Sequence, residues 1–337
     1  MGTEQKRVYV VVDYAKMLAA GIVVFGHCYL ADVAGMAWFA GLVKAAVQMF
    51  FVFNGYFLYK NKTLLQEDKM KRYCRHFLVL LCCWILIYYL WNMLFTEHQD
   101  GWFFTYSVQS AQFICGLNDG HLWYVQNLLA VAVMLYFLGK THFCLAEALA
   151  ATLLAGMTGG LLFRALAGVG FGLWLAETEE AAADKRERGV RLNKIVCAVL
   201  GVVGAVLMMI AYQRPEMLPA GVWLEGIAGT ASLLAGMALA LGAIEADVHL
   251  LQKGLCLPDS GGIRRNSSLV YFIHLMIVPL STAAVKFLLI NRGLIRQGGL
   301  LWSLSVGSLT FAAGIAAGAV IPVLARKKCF TWLKNLY

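Results

Sequence analysis

Three ionisable side chains in one apolar stretch are the first candidates for chemistry: Asp13, Lys16 and His27 of DYAKMLAAGIVVFGH. Charge at membrane depth is costly, and groups kept there usually face a bundle interior or a wet cavity. At about 100° per residue, the step from Lys16 to His27 closes three helical turns with about 20° left over. The step from Asp13 to His27 misses a whole number of turns by about 40°. All three side chains therefore share one stripe. At about 1.5 Å per residue, Lys16 and His27 are about 16 Å apart along the axis, half a hydrocarbon core. Such a stripe lines a polar path through lipid, with an acid and a base at one end and an imidazole at the other. Taken singly, a snorkelling Lys16, an Asp13 paired with it and a His27 among headgroups are ordinary topology. Three on one face point to function.

Other residues extend the set. Arg72 and Arg75 are three apart and share a helix face, so their guanidiniums can clamp a phosphate by paired hydrogen bonds. The positive-inside rule accounts for the same two residues. His121 opens HLWY and supplies a second imidazole, expected level with His27, where proton transfer needs groups that titrate near neutrality. Trp123 and Tyr124 beside it also fit an aromatic belt. Asn54, in NGYF, reads as a backbone break, an inward hydrogen bond or a turn before the next loop. Tyr271 and His274 lie one turn apart, with Pro279 able to kink the helix beyond them. His274 is expected in the inner half of the membrane, as a satisfied core histidine or as part of the site. No metal site is expected. The nine cysteines form no CxxC and fall mostly in apolar runs (Cys28, Cys82, Cys83, Cys197), which reads as buried thiols. Glycine-loop nucleotide motifs, GxSxG and HExxH are not present.

The elements that must position these residues follow from composition. The chain has 337 residues, 61% hydrophobic and 14% charged, with a mean hydropathy of +0.70. A soluble domain is nearer one-quarter charged. The fold expected is an all-α polytopic membrane protein, a single domain over 1–337. The net charge of +9 sits in loops on one side, which implies topology and lipid contact rather than nucleic acid. Ten apolar segments are predicted: about 8–30, 38–59, 77–95, 121–140, 143–160, 162–176, 195–212, 221–243, 268–290 and 300–324. Both termini are then cytoplasmic. The polar stretch 96–120 can hold an interfacial helix, and the tail RKKCFTWLKNLY suits an anionic leaflet. The charge run Glu177–Lys194 reads as a solvated loop or helix extension. Gly168/Gly172 and Gly314/Gly318 have the spacing that lets helices approach closely.

Taken in order, Asp-x-x-Lys, a histidine eleven residues after the base, FFVFNGYF, Arg-x-x-Arg, HLWY and Arg…Ser…Tyr-x-x-His resemble the integral-membrane acyltransferase family 3. Within that family, DYAK…GH is most similar to the membrane part of vancomycin-resistance serine racemases, here without a racemase domain. The resemblance implies about ten helices and transfer of an acyl group, acetyl above all, from cytoplasmic acyl-CoA to a hydroxyl of an envelope carbohydrate or related acceptor outside a bacterial cytoplasmic membrane. It implies acyl-CoA as a substrate, with no resident cofactor. His27 matches the family's catalytic histidine, with His121 as its companion. Lys16 stands where many members have arginine. Arg72 and Arg75 match the pair associated with the donor, and Arg164 resembles an arginine opening the sixth helix. Asp13, Lys16, Asn54, Trp123, Tyr124, Tyr271 and His274 complete the expected substrate path. The rival function on the same fold is transport of a polysaccharide or small polar solute. The acceptor and the oligomeric state are not legible.

Overall fold

Charged residues extend the helices well beyond their apolar cores. The computed structural model describes residues 9–95, 122–139, 142–183, 187–213, 222–253 and 261–326. His121, the stretch 96–120 and the tail from 327 onward lie outside the described residues. Ten α-helices follow one another there: α1 (Val10–His27), α2 (Trp38–Lys60), α3 (Glu67–Phe95), α4 (Trp123–Phe137), α5 (Leu145–Thr158), α6 (Leu161–Ala183), α7 (Glu187–Gln213), α8 (Val222–Gln252), α9 (Gly261–Val285) and α10 (Leu300–Leu324). Eight are long and apolar enough to cross a membrane, and α4 and α5 are shorter apolar helices. The protein is thus an all-helical, multi-pass membrane bundle.

The order of elements agrees with the hydropathy reading, and the ends do not. α3 starts at Glu67 rather than near residue 77, so Arg72 and Arg75 sit inside the helix and not at its mouth. α6 runs on to Ala183, and α8 runs to Gln252. Hydropathy marks what lipid or core can accept. A helix continues as long as its backbone hydrogen bonds and local propensities allow.

α2 is the central helix, packed on α1, α6, α7 and α8. Of its apolar window 72% is buried, against 11% for α3 at the periphery. α3 exposes Leu78, Cys82, Leu86 and Leu90, one every four residues, as a lipid-facing stripe. Cys82 is therefore not the buried thiol expected, whereas Cys28 and Cys197 are buried. α7 exposes Ile195, Val199, Val202, Val206 and Met209 in the same manner. Without a hydrophobic drive between helices in lipid, close packing must do the work, and small residues permit it. A Cβ on Gly55 would overlap the Val169 carbonyl oxygen, and one on Gly172 would overlap that of Val52, so α2 and α6 cross backbone to backbone. Gly314 and Gly318 of α10 lie against the side chains of Val270 and Asn266 of α9. Both glycine pairs singled out by spacing lie at helix contacts.

Candidate active site

α1 ends at His27, whose exposed side chain meets a buried imidazole from α9. The rings of His27 and His274 lie 5.0 Å apart, inclined at 37°. His274 Nδ1 is 2.6 Å from the Tyr271 carbonyl oxygen, one turn earlier. A carbonyl only accepts, so Nδ1 donates and Nε2 is left as the acceptor of the neutral ring. The Tyr271 ring packs on Tyr124 and on Phe50, each at 5.6 Å. The Asn54 amide donates to the Tyr124 hydroxyl at 2.6 Å and to the Phe50 carbonyl at 2.8 Å. α1, α2, α4 and α9 are thereby joined through one polar and aromatic seam.

Two depth expectations are corrected by this seam. At about 1.5 Å per residue from the basic ends of their helices, His274 stands about 20 Å along α9 and His27 about 26 Å along α1. The ring contact sets that offset, so His274 lies beside His27 and not in the opposite half of the bundle. Trp123 packs on Phe51 at 5.8 Å, which is about 14 Å from the basic end of α2. α4 thus begins within the membrane, below the level of His27, and Trp123 and Tyr124 are interior residues rather than an outer belt. Asn54 makes the inward hydrogen bond. The backbone break and the turn are excluded, because α2 is helical from Trp38 to Lys60.

The other end of α1 is held by a residue the sequence did not single out. The helix has no side-chain cap from Tyr9. Instead the Asp247 carboxylate of α8 accepts hydrogen bonds from Val11 N at 2.9 Å and Val12 N at 2.7 Å. A carboxylate here satisfies helix-terminal donors and meets the positive end of the helix dipole. Asp13, also buried, interacts electrostatically with Asp247 and with Lys16, and Arg264 is within reach of Lys16. Lys16 Nζ lies over Phe57 at 5.0 Å and Phe53 at 5.7 Å. The charged and imidazole residues of α1 therefore turn inward: Asp13 is buried, Lys16 lies against α2 and His27 meets α9.

Glu179 of α6 accepts from the Tyr56 hydroxyl and pairs with Lys60 at 3.1 Å. Glu179 belongs to the charge run read as a solvated loop or helix extension; its first half is such a helical extension, and Glu179 within it closes on α2. Asp247 and Glu179 escaped the sequence reading because their partners are distant in the chain. The only local signal was an acid at the end of an apolar run.

Arg72 and Arg75 are exposed on α3, with Tyr73 between them reaching Asn54 Oδ1 at 3.5 Å. The arginine pair and the imidazole seam are thus connected through one tyrosine. Arg164 is placed elsewhere, near the start of α6, lining a cavity bounded by α2 and α5–α8.

The family model described as "Acyltransferase domain", that of acyltransferase family 3, matches residues 9–319. The chain belongs to acyltransferase family 3. The match takes in α1 through most of α10, so the imidazole pair, the Arg72/Arg75 pair and the α1 cap all belong to the family domain. No curated protein and no solved structure matches the chain.

Proposed function

We propose that this membrane acyltransferase moves an acyl group, most simply acetyl, from cytoplasmic acyl-CoA to a hydroxyl of an extracytoplasmic envelope carbohydrate. One observation carries the reading: an exposed imidazole, His27, backed by a buried one, His274, far from the basic face of the bundle. The positive-inside rule assigns that basic face to the cytoplasm. Arg72 and Arg75, exposed there, hold the phosphates of CoA. Asp13, Lys16 and Tyr271 border the route by which the pantetheine brings its thioester towards His27.

At the outer end His27 takes the proton of the acceptor hydroxyl as its oxygen attacks the thioester carbon. The carbon–sulfur bond breaks, the thiolate leaves, and the proton held by His27 passes to it. The products are the ester and free CoA. His274, donating through Nδ1 to the Tyr271 carbonyl, keeps Nε2 as an acceptor, and its ring packs 5.0 Å from that of His27. That contact orients the working ring and stabilises its protonated form, the part a carboxylate plays in other acid–base pairs.

Proteoliposomes test the reading. Acceptor-dependent release of CoA, with the acyl group recovered on the acceptor, is expected. Passage of the acceptor across the bilayer without CoA release would instead favour transport.

A further inference from the structure

Where α9 meets α10, buried polar groups stand that the imidazole pair does not use. Ser281 Oγ, Thr282 Oγ1 and Ser303 Oγ are buried and have no hydrogen-bond partner in the protein. Ser281 is 2% exposed and Ser303 is fully buried. A hydroxyl inside a helix ordinarily donates to the carbonyl four residues back, as Thr152 and Ser232 do. Ser281, Thr282 and Ser303 make no such bond. In a packed seam inside a bilayer, an unpaired hydroxyl is costly.

Helix register sets two of these groups face to face. Gly314 lies against Val270, and Gly318 against Asn266. The two pairs fix an antiparallel register in which Thr310 stands opposite His274 and Ser303 opposite Ser281. Seven residues fall about 20° short of two turns, so Ser281 shares a face of α9 with His274, about 10 Å farther out. The same spacing stacks Ser303 over Thr310 on α10. A buried polar line thus runs outward from the imidazole pair. It lies at the lipid-facing edge of the bundle, because Leu280 of α9 and Leu301, Leu304 and Leu309 of α10 are exposed. α9 is also built to bend here. Pro279 has no N–H, so the Leu275 carbonyl loses its helical partner, and the helix widens into a π-turn at Lys286–Ile290.

We propose that the α9–α10 seam is a lateral entry site for a glycolipid acceptor, whose sugar headgroup bonds to Ser281 and Ser303 on its way to His27. A polyhydroxy headgroup between the helices gives both serines the partners that the closed seam withholds. Its presence therefore favours the parted state. His274 and Tyr271 lie on the inner side of Pro279, so the outer half of α9 can swing while the bond between them holds. Ser281 and Ser303 are neutral, which matches sugar hydroxyls; a phosphate would call for cations. The assignment rests on the transferase reading above. It gives the acceptor a class, a sugar carried on lipid, and a route through the membrane rather than from water.

Ser281→Cys/Ser303→Cys, in the full chain in phosphatidylcholine nanodiscs, provides the test. Mild oxidation should join the two cysteines, a link that neither single variant nor the wild type can show. Adding monoglucosyl diacylglycerol to the disc should lower the yield about tenfold, because the headgroup holds the helices apart. Free glucose should not. This arm involves no acyl transfer, so it decides the seam even if the transferase assay fails. In proteoliposomes given labelled acetyl-CoA and an envelope lipid extract, the oxidised protein should lose about tenfold or more of its transfer to lipid, and a reductant should restore it. Ser281→Ala/Ser303→Ala, which removes the unpaired hydroxyls, should melt higher than the wild type, and it decides the matter if the cysteine pair fails to fold. Cysteines that do not join, a yield indifferent to the glycolipid or lowered equally by glucose, undiminished transfer in the locked protein, or an alanine pair that melts no higher would overturn the proposal.

Discussion

His27 and His274 come from helices far apart in sequence, yet their rings lie 5.0 Å apart. One is exposed and the other fully buried. Such a pair has a natural division of labour: the exposed ring meets substrate and the buried ring positions it. His274→Gln should therefore lower kcat and alter the pH–rate profile while KM for acyl-CoA holds. A structural role alone would lower the amount of folded protein and leave the pH profile of the remainder intact.

The bond that fixes His274 comes from the backbone of residue 271, not its phenol. Tyr271→Phe is expected to keep His274 in place and to retain activity within a few-fold. What it loses is polarity along the acyl route. A collapse of kcat as deep as that of His274→Gln would mean that the Tyr271 hydroxyl itself takes part in the reaction.

Asp247 caps α1 across the bundle. Losing a charged cap costs about 0.5–2 kcal/mol. Asp247→Ala should lower the melting temperature in detergent, with Asp247→Asn falling between it and the wild type. Because α1 carries Asp13, Lys16 and His27, activity should fall with stability. An unchanged melting temperature would count against the cap.

The backbone crossing of α2 and α6 gives a packing prediction. Gly172→Ala places a methyl against the Val52 carbonyl oxygen. Overpacking of this kind costs about 1–3 kcal/mol. Gly242→Ala, where a Cβ meets nothing within 4 Å, is the matched control and should be neutral or slightly stabilising. Thermal melts of the two variants give the comparison.

Arg72→Ala/Arg75→Ala removes the proposed phosphate clamp from an exposed helix face. KM for acyl-CoA should rise while kcat at saturation stays close to the wild type. An unchanged KM would leave these residues as topology signals alone.

Much of this was written in the sequence, and the gaps have physical causes. Helix number and order follow from apolar length, because lipid demands about twenty apolar residues per span. Helix ends do not follow, since the backbone ladder of α3, α6 and α8 continues through charged residues. The glycine pairs were legible because close packing needs small side chains at one-turn spacing. The depth of His274 was not, because an index along one helix fixes no level relative to another until their axial offset is known. Trp123 misled for the same reason: α4 starts inside the bundle, and an aromatic there resembles an interfacial belt in sequence. Asp247 and Glu179 were invisible as partners, since the groups they hold lie on α1 and α2.

The most direct measurement is CoA release by His27→Ala in proteoliposomes supplied with acyl-CoA inside and envelope glycan outside. Loss of a general base costs about 10²–10⁴-fold, so release should fall by at least a hundredfold while the variant still inserts, folds and binds CoA. Turnover within a few-fold of the wild type would contradict the account.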